Sequence, residues 1–157
     1  MSSARPVRRC ALQCLYQFDA GGSGVPGSLW QEPEHEPRDP SESVVSEELA
    51  ARGHDLATLA WEFRDEADAA IRPLVPEWPL HRQPLVDRNI LRLAWYEVVR
   101  GEVPPKVAIN ESVELAREFG GERSPAFVNG VLDRLFRERL GPAEQPELGS
   151  REQPSTP

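Results

Sequence analysis

Apolar residues return along this chain at steps of three, four and seven, a pattern that predicts helices. Val7, Ala11, Cys14, Leu15 and Phe18 mark an amphipathic helix from Arg5 to Phe18. A short helix from about Glu42 to Arg52, ending at Gly53, precedes a longer one from Asp55 to Leu74. In the longer one, Leu56, Ala60, Phe63, Ala67, Ala70, Ile71 and Leu74 keep one face apolar. Pro73 and Pro76 end it, and a connector from Trp78 to Arg82 follows, pinned by its tryptophan. Val86, Ile90, Leu91, Leu93, Ala94 and Val98 mark another helix, closed by Gly101, in which Arg92 and Glu97 read as exposed or paired charges.

The stretch from Val103 to Leu135 is the densest in signals. Pro104 and Pro105 suit a first helical turn, where a missing N–H costs nothing. Val107, Ile109, Val113, Leu115, Ala116 and Phe119 cover more than a narrow stripe, so this helix is expected to be central. Gly120-Gly121 offers a left-handed residue to stop it, and Ser124 then caps a helix with Pro125 at its first position. Phe127, Val128, Val131, Leu132 and Leu135 form the next apolar face.

Some positions here are not explained by packing. Lys106, Asn110, Glu114 and Arg117 make a polar stripe along the first of these helices. Asn129-Gly130 lies inside the second, where glycine costs about 1 kcal/mol relative to alanine. Two accounts stay open: a helix crossing at Gly130 with Asn129 bonded to a neighbour, or an asparagine that faces a ligand.

Composition narrows the class. A chain of 157 residues is one domain's worth, expected to run from 1 to 140. Within it, residues 20–41 are rich in Gly, Ser, Pro and Glu and read as a flexible connection, and residues 141–157, with four prolines and no apolar pattern, as a disordered tail. No apolar run is long enough for a membrane span and the N-terminus lacks a signal-peptide core, so a cytoplasmic protein is predicted. Cys10 and Cys14 read as two small buried hydrophobes, and no metal-ligand spacing supports a metal or other cofactor. His35, His54 and His81 are scattered, and no nucleophile stands beside a base in sequence, so an enzyme is not expected.

The net charge of −8 argues against a generally basic surface, but the charge is uneven. Residues 1–20 carry Arg5, Arg8 and Arg9 against Asp19, a net of +2, whereas residues 21–48 carry a net of −6. Arg5, Arg9, Gln13 and Tyr16 fall on one stripe of the first helix, with Arg8 beside it. Guanidinium groups pair with phosphate, while an amide and a ring read and stack on an unpaired base. Short basic runs are common, however, and on these residues alone a solvated helix whose Tyr16 caps the core is the commoner outcome.

Four ordered motifs add a resemblance. Cys-Ala-Leu-Gln-Cys-Leu-Tyr (10–16), Val-Asp-Arg-Asn-Ile-Leu-Arg-Leu-Ala-Trp-Tyr-Glu (86–97), Val-Pro-Pro-Lys-Val-Ala-Ile-Asn-Glu (103–111) and Phe-Val-Asn-Gly-Val-Leu-Asp (127–133) resemble the NusB transcription antitermination family in order and spacing. The likeness covers the first helix and most of Trp78 to Leu135, and is weak through 42–75. It implies an all-α fold of two small helical bundles packed into one compact domain, and no catalysis. It also implies binding to boxA RNA of ribosomal RNA leader transcripts, together with NusE, a small-subunit ribosomal protein, in an RNA polymerase antitermination complex.

By this resemblance Arg5, Arg8, Arg9, Gln13, Tyr16, Lys106, Phe127 and Asn129 are the expected RNA-binding residues, and Asp87 the expected NusE contact. Pro6 interrupts the arginine run, a departure from several relatives. Monomer and homodimer both stay open. Two other readings are a helical protein-interaction adaptor without RNA binding, and an accessory module related to RNA cytosine methyltransferases, although no glycine-rich methyl-donor domain is present in this chain.

Overall fold

A computed structural model describes residues 5–21, 40–101 and 103–140, with side chains from residue 47 onward in the second segment. Six α-helices, α1 (Arg5–Asp19), α2 (Pro40–Glu62), α3 (Arg64–Ile71), α4 (Leu85–Val99), α5 (Pro105–Phe119) and α6 (Ser124–Leu140), are joined by two 3-10 turns, Arg72–Leu74 and Leu80–Arg82. The described residues contain no strand, so the fold is all-α as the periodicity predicts. The expected connection and tail lie mostly or wholly outside the described residues, although Pro40 and Ser41 already belong to α2.

The middle of the chain departs from the pattern. Two helices separated at Gly53 were expected, but α2 is one 23-residue helix running through it. Gly53 is there because α1 crosses closely: a Cβ would lie 2.4 Å from Cys10 Cβ and 3.2 Å from both the Val7 carbonyl and the Ala11 nitrogen. The periodic run from Asp55 to Leu74 is broken instead at Phe63, whose ψ of 11° leaves the helical region and lets α3 set off in a new direction.

α4 is the shared element. It packs against α1, α2 and α3 on one side and against α5 and α6 on the other. Leu12, Leu15, Ile71, Ile90, Leu91, Leu93, Val128, Leu132 and Leu135 are fully buried in a single continuous core. At about 1.5–3 kcal/mol for each large side chain removed from water, this core is the main source of stability. The two expected bundles are therefore two sets of helices around one common helix.

Buried charges fix how α1 lies on α4. Arg8, near the start of α1, is 2% exposed and pairs with Glu97, near the end of α4, at 2.7 Å. At the other end of α1, Asp19 accepts bonds from Arg88 Nη2 at 2.6 Å, Asn89 Nδ2 at 2.8 Å and Arg92 Nη1 at 3.1 Å. Start meets end and end meets start, so the two helices are antiparallel. Arg92 also makes a two-pronged pair with Asp68 of α3 at 2.8 Å. Both charges read in the sequence as exposed or paired are thus paired and buried.

Burial alone would raise the Asp19 carboxyl, but the bonds from Arg88 and Asn89 and the charge of Arg92 outweigh it and hold the group below its ordinary 3.8. A depressed carboxylate contributes stability that is present above 3.8 and is lost as pH falls through the folded-state value. Asp19→Asn is expected to lower the unfolding free energy at pH 7 by about 1.5–3 kcal/mol. The gap from the native protein should close as denaturant titrations are repeated towards pH 3; a gap independent of pH would refute this account.

Candidate nucleic-acid interface

The expected interface rests on α1, and the structure divides its arginines. Arg8 faces α4 and is withdrawn as a phosphate contact: its guanidinium is sunk into the pair with Glu97, whose side chain is 5% exposed. Arg5 and Arg9 lie on the outer edge, with side chains 57% and 36% exposed. Each meets a carboxylate of α5, Arg5 with Glu111 at 3.1 Å and Arg9 with Glu118 at 2.6 Å. Arg9 also stands 5.7 Å over the Phe119 ring. The Arg5 guanidinium is held in its charged form by the bonds it donates to Glu111 and by the nearby α5 carboxylates. Gln13 and Tyr16 continue this edge, each half-buried. From Arg5 to Tyr16 the edge is about 16 Å long at the helical rise of 1.5 Å per residue.

The polar stripe of α5 borders the same region. A groove of about 770 Å³ lies between α5 and α6 and is reached by Arg5 of α1; Asn110 and Asn129 face it. Asn110 also lines a smaller, more apolar recess together with Lys106, one turn earlier on α5. The structure therefore brings Arg5 and Asn129 to one groove and puts Lys106 in a neighbouring recess that shares Asn110 with it. Phe127 points elsewhere, packing its half-buried ring edge-on against Trp78 at 4.6 Å between centroids. That contact is what pins the Trp78 connector.

Asp87 is also corrected. It is 1% exposed, so it offers no surface to a partner in this chain. Burial pushes its carboxyl up, against a hydrogen bond from Ser124. Ser124 is itself buried and accepts a bond from the Gly121 N–H at 2.9 Å. Ser124 thus ties the α5–α6 corner to α4; it is the first residue of α6 and bonds back to Gly121, so it is not the helix cap expected from the sequence. Gly120 is extended, not left-handed. Glycine is needed there for room, since a Cβ would meet Ser124 Oγ at 2.6 Å and the Ala116 carbonyl at 2.7 Å.

Gly130 shows the opposite. A Cβ added there would have no neighbour within 4 Å, which rules out a helix crossing, one of the two accounts open from the sequence. Asn129 is exposed and has no hydrogen-bond partner among the described residues. Sequence reasoning missed Glu111 and Glu118, the partners of the two outer arginines. Their spacing of seven, on one face of α5, was the available signal.

No described helix is long and apolar enough to cross a membrane, and no group of three or more His, Cys, Asp or Glu among the described residues is placed to hold a metal. Burial, with Cys10 adding to it, pushes the Cys14 thiol up to about 11, so Cys14 is a protonated packing group.

The described residues form a small all-helical protein whose α1 edge carries arginine, amide and ring side chains. The NusB family model matches residues 5–137. The transcription antitermination proteins NusB of Anaeromyxobacter dehalogenans and Sorangium cellulosum are each 42% identical to this chain, covering 86% and 90% of it and 92% and 96% of their own lengths. The solved structure of T. maritima NusB superposes with a TM-score of 0.64 at 27% identity, over 88% of this chain and 94% of that one. A chain in the crystal structure of antitermination factors NusB and NusE in complex with dsRNA shares the fold, with a TM-score of 0.61 at 23% identity over 85% of this chain and 96% of that one. This chain belongs to the NusB family.

The buried pair makes a direct prediction. Glu97→Ala strands the Arg8 charge in the core and is expected to lower unfolding free energy by about 3–5 kcal/mol, whereas Arg8→Met combined with Glu97→Leu should recover most of that loss. Denaturant unfolding of the three proteins decides it; equal loss in the single and double variants would show that the pair is not what holds this end of α1.

Proposed function

We propose that this protein is a non-catalytic transcription antitermination factor that grips boxA-type single-stranded leader RNA together with NusE. It would work in the cytoplasm as part of an RNA polymerase antitermination complex. Family membership supports the role, and the relatives carry it in their names. The observation that carries the reading for this chain is the α1 edge, where Arg5, Arg9, Gln13 and Tyr16 stay within reach of solvent while Arg8 beside them turns inward to Glu97.

The outer arginines are satisfied by carboxylates when no ligand is bound, and this does not disable them. An exposed ion pair contributes about 0–1 kcal/mol, so a phosphate can take the place of Glu111 or Glu118 at little cost. The phosphate brings counterion release in addition, which makes the contact favourable and salt-dependent. Gln13 and Tyr16 then meet the bases further along the helix, and Lys106 and Asn129 complete the contact from α5 and α6, while Phe127 stays against Trp78. Arg8 takes part only by holding α1 in place, and Asp87 by holding α6.

Arg5→Ala with Arg9→Ala is expected to weaken boxA RNA binding. It should also reduce the slope of log affinity against log salt by about 1.4, roughly 0.7 for each phosphate contact on a single strand. Helicity and melting temperature should not change. Glu111→Gln with Glu118→Gln, which frees the same two arginines, is expected to strengthen binding. Fluorescence titrations at two salt concentrations, with and without NusE, test both; unchanged affinity in the arginine variant would end this reading of α1.

A further inference from the structure

Between the start of α5 and the end of α6 lies an apolar recess, next to the polar groove. We infer that it seats the chain's own continuation: residues 141–148 fold back from the end of α6 and place Leu148 in the recess, with Glu144 and Glu147 against Lys106 and Arg137. The contact stands by itself, and its consequence for RNA rests on the reading of Lys106 given above.

The lining is mostly carbon. Pro105 and Ile109 come from α5, and Phe136 and Leu140 from α6, around a volume of about 290 Å³. An apolar cavity of about 150 Å³ holds a benzene ring, so a leucine side chain has room here. Leu140 lines the recess and is 52% exposed, more than any other large hydrophobic among the described residues. A lone exposed leucine is ordinary, but one that walls an apolar recess extends the surface that a second apolar group can bury.

Charge selects the occupant. Lys106 is exposed and has no ion-pair partner among the described residues, while Arg137 shares Asp133 at 3.2 Å in a pair open to solvent. These three side chains border the recess and leave it net positive. The favoured occupant is therefore an apolar side chain with carboxylates beside it. Residues 141–148 read Gly-Pro-Ala-Glu-Gln-Pro-Glu-Leu, with two glutamates, no basic residue, and the only large aliphatic side chain beyond Leu140.

A segment so poor in apolar residues cannot build a core of its own, yet it can lend one side chain to a core that exists. Pro142 is unsuited to prolonging α6, and Gly141 suits a reversal just where Leu140 meets the recess. The stretch from Leu140 to Leu148 can span up to about 26 Å, ample for a return to a site that Leu140 itself lines. The tether keeps the local concentration at about the millimolar level, so weak contacts suffice. The segment lies beyond the family match, which stops at residue 137. Once seated, it lays carboxylates beside Lys106, and RNA has to displace it to reach that cation.

The test uses the full chain with labelled methyl groups. Nuclear Overhauser contacts are expected from the Leu148 methyls to the Ile109 methyls and the Phe136 ring. Leu148→Ser should remove them and shift the Ile109 signals, and Leu148→Met should restore those signals. Absent contacts, with Ile109 unmoved by Leu148→Ser, overturn the inference. Ile109 signals that follow protein concentration in the native chain, and not residue 148, show a second copy in the recess and overturn it as well. Titration with a boxA-type RNA at low salt reads the consequence. Leu148→Ser is expected to bind about twofold more tightly or better, the factor by which a half-occupied docked state lowers apparent affinity. Lys106→Ala should cancel that gain. Contacts present with unchanged RNA affinity overturn the masking of Lys106. Contacts present in a chain that binds no such RNA overturn the RNA-binding reading and leave the docked segment standing.

Discussion

The interaction on which the rest depends is the pair of buried charge contacts that seat α1 on α4. Arg8 reaches Glu97 at one end and Asp19 reaches Arg88, Asn89 and Arg92 at the other. Apolar burial alone lets an amphipathic helix slide or rotate on its bed with little penalty, because the hydrophobic effect has no direction. Two charge contacts at opposite ends remove that freedom, since a shift of one turn would leave buried ions without partners. Rotation is fixed too: with Arg8 turned inward, Arg5, Arg9, Gln13 and Tyr16 are turned outward.

The arginines therefore do two kinds of work within a single turn of helix. The inward one is structural, bound to a carboxylate that solvent hardly reaches. The outward ones are held by carboxylates that keep 22% and 40% of their side-chain surface in solvent, and contacts of that kind contribute only about 0–1 kcal/mol. The same two residue types, Arg and Glu, give a permanent contact in one place and a replaceable one in the other. Burial is the variable that separates them.

Much of the architecture was legible in the sequence, because helical periodicity reports which face is covered. α1, α4, α5 and α6 fall where their apolar positions place them. The middle of the chain was less legible because glycine has two opposed meanings. At Gly53 the residue was read as a stop, yet it admits a crossing helix, a fact about Cys10 that no local pattern contains. At Gly130 a crossing was one of two readings, and the residue faces open space. Arg8 shows the same limit at the site: it stands beside the outward Arg9 in sequence, and only the position of Glu97, 89 residues away, accounts for its burial. Asp87 was assigned outward by resemblance and lies inward against Ser124. Residue type announced the charges, but only long-range packing could say which of them reach water.

The contact at Gly53 has a consequence for the edge of α1 that carries Arg5 and Arg9. The backbone of α2 lies so near Cys10 that this spot acts as a fulcrum beneath the arginine helix. Any side chain larger than hydrogen would force α1 and α2 apart at that point, and Arg5 and Arg9 would move with α1. A residue that never touches a nucleotide thus sets the height and pitch at which the cationic groups are presented.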